Sequence, residues 1–243
     1  MTIVVFSDID DTLMQTRRKC DSENRLQVGA TDKTGEPLSF TTTQQRMLLD
    51  LLQHHEFIPV TGRNKAALDR VNLEFKSYKV IDHGALVLDK NDQIDPEWRA
   101  MLDQQIQYWS AGLEAYCAQV LQLIDIEKLQ LRCRVISDFE YPCYISIKGD
   151  PAHMLALDEI SCKFQNEQAG ARVHINGQNM ALLPPYASKE NAVLFLQERY
   201  RTEHQDILFL ALGDSHSDVP FMKTCHFKMI PQQSQIAREL KTV

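Results

Sequence analysis

Two carboxylates, separated by one residue, stand directly after the first apolar run of the chain. Residues 4–6 lead through Ser7 into Asp8 and Asp10, and Thr12 follows. Ligands of open α/β sheets bind beyond the carboxyl ends of the strands, where these side chains would meet a substrate and a metal ion. One carboxylate can attack phosphorus to form an aspartyl-phosphate, and the second can move the proton. The pair therefore indicates phosphoryl transfer, although Asp also follows strands simply as a turn residue.

A second polar cluster comes directly after another short apolar run, at residues 57–60. It consists of Thr61, Gly62 and Arg63. A hydroxyl beside a glycine, whose backbone N–H can be approached closely, suits a phosphate oxygen. We expect Thr61 and Gly62 to bind phosphate.

Later segments carry the remaining candidate charges. Lys189 opens an amphipathic helix, and from the helix N-terminus, itself favourable for anions, it would reach a phosphate. The apolar run at residues 207–212 ends in Gly213 and Asp214, and Asp218 follows. Two more carboxylates at a strand end make a hard-cation site, and Mg²⁺ is its usual occupant beside a phosphate oxygen and water.

Together these segments resemble the motifs of the haloacid dehalogenase superfamily of phosphohydrolases. The motifs, in family order, are Asp8-x-Asp10-x-Thr12-Leu13, Thr61-Gly62-Arg63, Lys189 and Gly213-Asp214-Ser215-x-x-Asp218. The resemblance implies that Asp8 is the nucleophile and that Asp10 is first the general acid and then the general base. It also implies that Thr61 and Lys189 bind the phosphoryl group.

The same resemblance implies Mg²⁺ as cofactor. Its ligands would be Asp8, Asp214 and the backbone carbonyl of Asp10, while Asp218 would support the water shell of the metal. Asp10 also favours phosphate ester hydrolysis among the superfamily's reactions. The dehalogenase branch lacks this acid, and phosphonatases need a Schiff-base lysine in a differently placed cap.

Hydrophobic periodicity predicts an α/β fold, with a Rossmann-like parallel sheet core and an inserted α/β cap domain. The predicted core strands are residues 2–7, 57–60, 78–82, 206–212 and 226–230. The predicted core helices are residues 44–55, 64–76, 189–201, 217–223 and 232–241. Residues 31–40 are expected to form a flap hairpin.

The predicted domains are a core of residues 1–82 and 186–243 and a cap of residues 83–185. The cap pattern is helix, two strands, helix, two strands, which predicts an antiparallel sheet and two helices. It resembles the caps of the sugar-phosphatase branch, as in sucrose-phosphate phosphatase and mannosyl-phosphoglycerate phosphatase. One departure is at His83, because relatives commonly have Asn-Gly-Ala at this point; its role is left open, as is that of His216.

Basic and apolar residues alternate along the cap strands. Cys133 and Val135 point to one face, whereas Arg132 and Arg134 point to the other, and Lys148 on the next strand shares the polar face. With helices over the apolar face, the cationic face is either ordinary solvated sheet surface or the roof of the active site. The family architecture favours the roof, where these three cations would recognise the leaving group by charge-assisted contacts.

Composition excludes some classes of partner. The net charge of −7 argues against nucleic acid, which needs concentrated basic surface. No apolar stretch approaches the ~20 residues of a membrane span, and the chain begins with a core strand rather than a signal peptide, so we expect a cytoplasmic protein without a membrane partner. No sequence feature specifies an oligomeric state.

The sequence therefore predicts a Mg²⁺-dependent phosphomonoester hydrolase that acts on a small soluble phosphometabolite, a sugar phosphate, through an aspartyl-phosphate. Two alternatives stay open. One is a catalytically weak regulatory or binding protein that senses a phosphorylated ligand, although every catalytic position is retained. The other is phosphoryl transfer to a sugar acceptor, which would require closure of the cap to exclude water.

Overall fold

The computed structural model describes residues 2–21 and 25–240 of the chain, which form two compact units. Unit 1, the core, extends to Asp95 and resumes at Lys189, and unit 2, the cap, is the continuous stretch Pro96–Ser188. Residues 83–95, assigned to the cap from the sequence, thus group with the core, and residues 186–188 group with the cap. The predicted α/β class, a parallel core sheet with an inserted α/β cap, is confirmed.

The regular elements are numbered in chain order. The strands are β1 (Thr2–Ser7), β2 (Gln15–Thr16), β3 (Gln27–Thr31), β4 (Pro37–Thr41), β5 (Glu56–Pro59), β6 (Lys79–Ile81), β7 (Leu86–Leu88), β8 (Leu131–Asp138), β9 (Tyr141–Gly149), β10 (Arg172–Asn176), β11 (Asn179–Leu183), β12 (Ile207–Leu212) and β13 (Phe227–Met229). The helices are α1 (Thr43–Leu52), α2 (Lys65–Leu68), α3 (Pro96–Ile126), α4 (Pro151–Met154), α5 (Asp158–Glu167), α6 (Lys189–Glu203), α7 (Val219–Lys223) and α8 (Gln235–Leu240).

The core sheet is parallel, with strand order β13-β12-β1-β5. Strand β1 is an inner strand, and its residues Val4, Val5 and Phe6 are fully buried. A strand covered on both faces needs apolar residues throughout, which is why this run does not alternate. The strands therefore bring their carboxyl ends to one edge, where the acidic motifs begin.

Helix α1 begins at Thr43, one residue before its predicted start, and its N-terminus is capped. The Thr42 hydroxyl accepts from the backbone N–H of Gln45, and the Gln45 side chain accepts from the N–H of Thr42, which is a complete capping box. The Gln45 side chain also donates to the carbonyl of Thr12 (3.2 Å). The helix thus anchors the loop that follows β1.

The predicted flap hairpin forms, with β3 and β4 paired antiparallel around a turn at residues 32–36. The helix predicted at residues 64–76 is wrong beyond Leu68. There the backbone pairs with β3 instead: Thr31 donates to the carbonyl of Arg70 (3.0 Å), and Asn72 donates to that of Gly29 (2.7 Å). These tertiary hydrogen bonds replace the helical ones.

The strand predicted at residues 78–82 exists as β6, but it pairs antiparallel with β7, and a parallel bridge between Val60 and Val80 joins it to the end of β5. A tight turn at Asp82–Gly84 reverses the chain between β6 and β7. Asp82, His83 and Gly84 all have positive φ there. Strand β7 was not predicted.

The cap is an antiparallel sheet of order β10-β11-β9-β8. Helix α3 packs on β8 and β9, and α5 packs on β10. The second predicted cap helix is divided into α4, a 3₁₀ turn at Leu155–Leu157, and α5. Among the described helices, none has an apolar stretch long enough for a bilayer crossing.

Candidate active site

Asp8 lies at the carboxyl edge of the core sheet, one residue beyond β1. Its backbone N–H donates to the carbonyl of Leu212 (2.9 Å), which continues the ladder between β1 and β12. Its side chain is buried, with Oδ1 accepting from Lys189 Nζ (2.8 Å) and Oδ2 accepting from Thr12 Oγ1 (3.3 Å). The predicted nucleophile is therefore held by a cation and a hydroxyl.

Lys189 joins two carboxylates. At the start of α6, its Nζ also donates to Asp218 Oδ1 (2.7 Å). Burial alone would lower the pKa of Lys189, but the charges of Asp218 and Asp8 outweigh it, and the pKa lies above its ordinary value. The side chain is a permanent cation between two acids.

The Asp218 carboxylate organises the loop after β12. Oδ2 accepts from the N–H groups of Asp214 (3.3 Å) and Ser215 (3.1 Å) and from Ser215 Oγ (2.7 Å). Burial would raise the pKa of Asp218, but Lys189 and Ser215 outweigh it and lower the pKa. With both oxygens engaged, this side chain orients the loop and Lys189.

Gly213 allows this close packing. A Cβ at this position would lie 2.6 Å from Asp218 Cβ and 2.7 Å from Met222 Sδ, closer than non-bonded atoms approach. The glycine of the last motif is thus needed for the approach of the Asp218 side chain.

Asp8, Asp214 and Asp218 form a cluster that fits a divalent cation. One oxygen from each lies within 4.8 Å of the others. Burial and the Asp218 charge raise the pKa of Asp214 to about 7, and burial likewise raises the pKa of Asp8. Lys189 contributes one positive charge beside three buried carboxyl groups, and oxygen ligands of this kind suit Mg²⁺.

Asp10 is turned towards Arg63 rather than into the cluster. Its Oδ2 accepts from Arg63 Nε (2.8 Å) and its Oδ1 accepts from Arg63 Nη2 (2.7 Å). The Asp10 side chain is half exposed. The sequence motif includes Arg63 but assigns it no role. The structure shows that its side chain contacts both carboxylate oxygens of Asp10.

The loop of Thr61, Gly62 and Arg63 follows β5 at the same sheet edge. Thr61 is buried, and its Oγ1 accepts from the N–H of Arg63 (3.1 Å). The His83 N–H donates to the carbonyl of Thr61 (3.0 Å), and the Asp82 N–H donates to that of Arg63 (2.9 Å). The turn after β6 therefore fixes the predicted phosphate loop.

The ring of His83 packs directly against Gly62 and leaves no space for a side chain there. A Cβ at Gly62 would lie 2.5 Å from Cε1 of the His83 ring. His83 itself has a left-handed backbone, with φ 58°. The residue that departs from the family pattern thus covers the phosphate loop. His216, in contrast, is exposed and lies 2.7 Å from Glu239.

Arg132, Arg134 and Lys148 lie together within the cap. Arg132 is opposite Lys148, and Arg134 is opposite Ser146 in the register of β8 and β9. All three cations are exposed, while Cys143, Ile145 and Ile147 of β9 are fully buried. The three cations share one side of the sheet, but the predicted alternation is incomplete, because Tyr144 and Ser146 on the same side of β9 are buried as well.

The chain matches the family of sucrose-6F-phosphate phosphohydrolases over residues 1–230. It belongs to this family. The chain is therefore a phosphatase, and the resemblance to haloacid dehalogenase-like sugar phosphatases is confirmed. No curated protein sequence matches this phosphatase.

Solved structures share the fold. The sucrose-phosphatase of Synechocystis sp. PCC6803, in complex with sucrose and phosphate, has a TM-score of 0.58 at 18% identity, over 100% of this chain and 97% of that one. The C-terminal domain of trehalose-6-phosphate phosphatase from C. albicans has a TM-score of 0.52 at 14% identity, over 92% and 73% of the two chains. A protein of Thermoplasma acidophilum has a TM-score of 0.55 at 15% identity, over 100% and 98%.

Proposed function

We propose that this phosphatase hydrolyses a small sugar phosphate through an aspartyl-phosphate on Asp8. The observation that carries the proposal is the contact of Lys189 with both Asp8 and Asp218 beside Asp214. It supplies a buried nucleophile, a cation for the phosphoryl oxygens and a set of carboxylates for a metal. The family and the sucrose and phosphate in the Synechocystis relative support a sugar phosphate as substrate.

The first step transfers the phosphoryl group to the enzyme. An oxygen of the Asp8 carboxylate attacks phosphorus as the bond from phosphorus to the ester oxygen breaks, and Asp10 gives its proton to the departing sugar hydroxyl. Lys189 and the Thr61 loop bind the phosphoryl oxygens. Positive charge held there in advance lowers the barrier, because this reaction depends mainly on positioning and electrostatics.

The second step returns the enzyme to its starting state. Asp10, now a carboxylate, takes a proton from water, and the water oxygen attacks phosphorus. The bond between phosphorus and the Asp8 oxygen breaks, which frees inorganic phosphate and regenerates the Asp8 carboxylate. Asp10 ends protonated and ready for the next substrate.

Asp8 and Asp214 would hold Mg²⁺ with their side chains, Asp10 would hold it with its backbone carbonyl, and Asp218 would order the loop and the water shell. When bound, the ion neutralises charge on the transferred phosphoryl group. The leaving group is recognised by the cationic cap face, through Arg132, Arg134 and Lys148. Charge-assisted hydrogen bonds from such side chains orient hydroxyl or anionic groups.

The test compares Asp8→Asn with Asp50→Asn, a matched change on the exposed surface of α1. We expect Asp8→Asn to lose turnover of sucrose 6F-phosphate and of p-nitrophenyl phosphate in Mg²⁺, with an unchanged melting temperature or a higher one. The amide is isosteric but a poor nucleophile, and it relieves a buried charge. Wild-type enzyme quenched in acid should carry a phosphoryl group on the Asp8 peptide. Full activity of Asp8→Asn would end the proposal.

A further inference from the structure

Arg63 contacts both oxygens of Asp10 in a fork-to-fork arrangement. Its Nε and Nη2 donate at 2.8 and 2.7 Å to Oδ2 and Oδ1. Two parallel hydrogen bonds fix the carboxylate plane as well as its position, whereas one bond would leave it free to rotate. The two residues are 53 positions apart in the sequence. Their contact therefore joins the acidic motif after β1 to the Thr61-Gly62-Arg63 motif after β5.

The guanidinium is the rigid partner of the pair. Its side chain is 12% exposed, compared with 50% for Asp10. Arg63 Nη1 donates to the carbonyl of Ala67 in α2 (3.2 Å), and the Arg63 backbone is held at its N–H by Thr61 Oγ1 and at its carbonyl by the Asp82 N–H. An exposed carboxylate that would otherwise sample several rotamers is thus held by an anchored group.

We propose that Arg63 is a positioning residue for proton transfer, which holds the Asp10 carboxyl group where it meets the ester oxygen. This inference rests on the proposed function, because it assigns the proton transfers to Asp10. The proposal also gives a reason for the many hydrogen bonds that fix the loop of residues 61–63. Thr61, which binds the phosphoryl group, and Arg63, which orients the proton donor, belong to one rigid loop, so the two groups keep a constant separation.

The geometry requires the guanidinium and not simply a positive charge. Lysine carries a point charge on a flexible stem and cannot form two parallel bonds with a carboxylate. Arg63→Lys should therefore retain the charge and lose the orientation of Asp10. Arg63→Gln removes the charge as well and provides a second variant if either change impairs folding.

The test compares two esters that differ in their need for a proton donor. Nitrophenolate is a good leaving group and departs from phosphorus as an anion. Phenolate is a poorer leaving group, so cleavage of phenyl phosphate depends more strongly on a proton donor. We expect kcat/KM for phenyl phosphate to fall about 10- to 100-fold in both variants, part of the ~10²–10⁴-fold that general acid catalysis supplies. For p-nitrophenyl phosphate the loss should stay within about 3-fold, because its bond cleavage gains little from the acid.

A double variant tests whether Arg63 acts on catalysis through Asp10. In an Asp10→Asn background, adding Arg63→Lys should cause no further loss on phenyl phosphate, because the group that Arg63 positions is already disabled. Arg99→Gln, on the exposed surface of α3, is the matched control and should change neither ester. Circular dichroism and thermal melting verify folding for each variant.

Equal losses on both esters would overturn the inference, since they would mean that Arg63 supports the fold or binds the phosphoryl group itself. Unchanged or higher kcat/KM on phenyl phosphate would also overturn it, because the ion pair would then be dispensable or would hold Asp10 away from the ester. Failure of the proposed function is recognised separately. In that case Asp8→Asn keeps its activity, whatever Arg63 does.

Discussion

The ammonium of Lys189 lies 2.7 Å from the Asp218 carboxylate at a place where neither side chain is more than 9% exposed. The same ammonium is 2.8 Å from Asp8. One cation therefore holds two buried acids together, and a third, Asp214, lies beside them. This cation stabilises the folded state, because buried carboxylates are costly without a partner.

Lys189→Met should destabilise the metal-free protein by about 3–5 kcal/mol, the usual cost of breaking a buried ion pair on one side. Urea unfolding in excess EDTA measures the free energy of unfolding. Lys189→Met combined with Asp218→Asn should lose less than the sum of the single variants, since the second change removes an unpaired charge. Strict additivity would show that the two side chains do not interact.

Mg²⁺ should stabilise the protein more at about pH 8 than at about pH 5.5, because metal ligands must be deprotonated. The reason is Asp214, whose pKa of about 7 exceeds the ordinary 3.8. Without metal, the folded state keeps a proton that the unfolded chain loses. The free energy of unfolding contributed by this group therefore falls as pH rises between those values, and bound Mg²⁺ opposes the fall.

The measurement is the rise in melting temperature on saturation with Mg²⁺, taken at both pH values. Asp214→Asn serves as the control, because its amide does not titrate in this range. We expect the variant to lose most of the pH dependence. A magnesium effect equal at both pH values in the wild type would contradict the assignment of Asp214 as a ligand.

Gly62→Ala should lower kcat/KM by about 10- to 100-fold, because its Cβ would meet the His83 ring and displace the phosphate loop. Adding His83→Gly should restore most of the loss, since it removes the ring and suits the left-handed backbone. Gly112→Ala is the matched control, because its Cβ meets Trp109 at an ordinary 3.8 Å. If His83→Gly brings no recovery, the ring is not what Gly62 accommodates.

Arg134→Ala should lower kcat/KM for the physiological sugar phosphate by about 10-fold or more, the value of one charge-assisted contact. Hydrolysis of p-nitrophenyl phosphate should change little, because this ester lacks the recognised sugar. Binding energy from the remote group can also serve the chemical step, so kcat should fall with affinity. Arg99→Gln in the same unit is the control. Equal losses on both esters would assign Arg134 to folding.

Short-range patterns predicted the parts of the site that depend on strand ends. Asp8 and Asp214 each follow an apolar run, and parallel pairing of β1 with β12 brings them together without further information. Ser215 is visible in the motif as well, three residues before Asp218, whose carboxylate it contacts. Short-range sequence patterns were therefore sufficient to predict that these residues belong to the site.

Contacts between distant segments could not be predicted in this way. The helix expected beyond Leu68 fails because β3, more than 30 residues earlier, takes the backbone groups near Asn72. The pair of Arg63 with Asp10 likewise depends on how two loops approach each other. His83 shows a middle case: its departure from the family pattern marked it, but only the packing against Gly62 gives the reason.

The inner position of β1 has a consequence for biosynthesis. Its partner on one side, β12, begins at Ile207, so the pairing of Thr2 with Ile207 must wait while the cap and α6 are made. At ribosomal rates of about 5–20 residues per second, that delay is roughly 10–40 s. Throughout it, one edge of an apolar strand is exposed, a state open to mispairing with other nascent chains. Assembly of the catalytic edge thus depends on a strand that is made about 200 residues after β1.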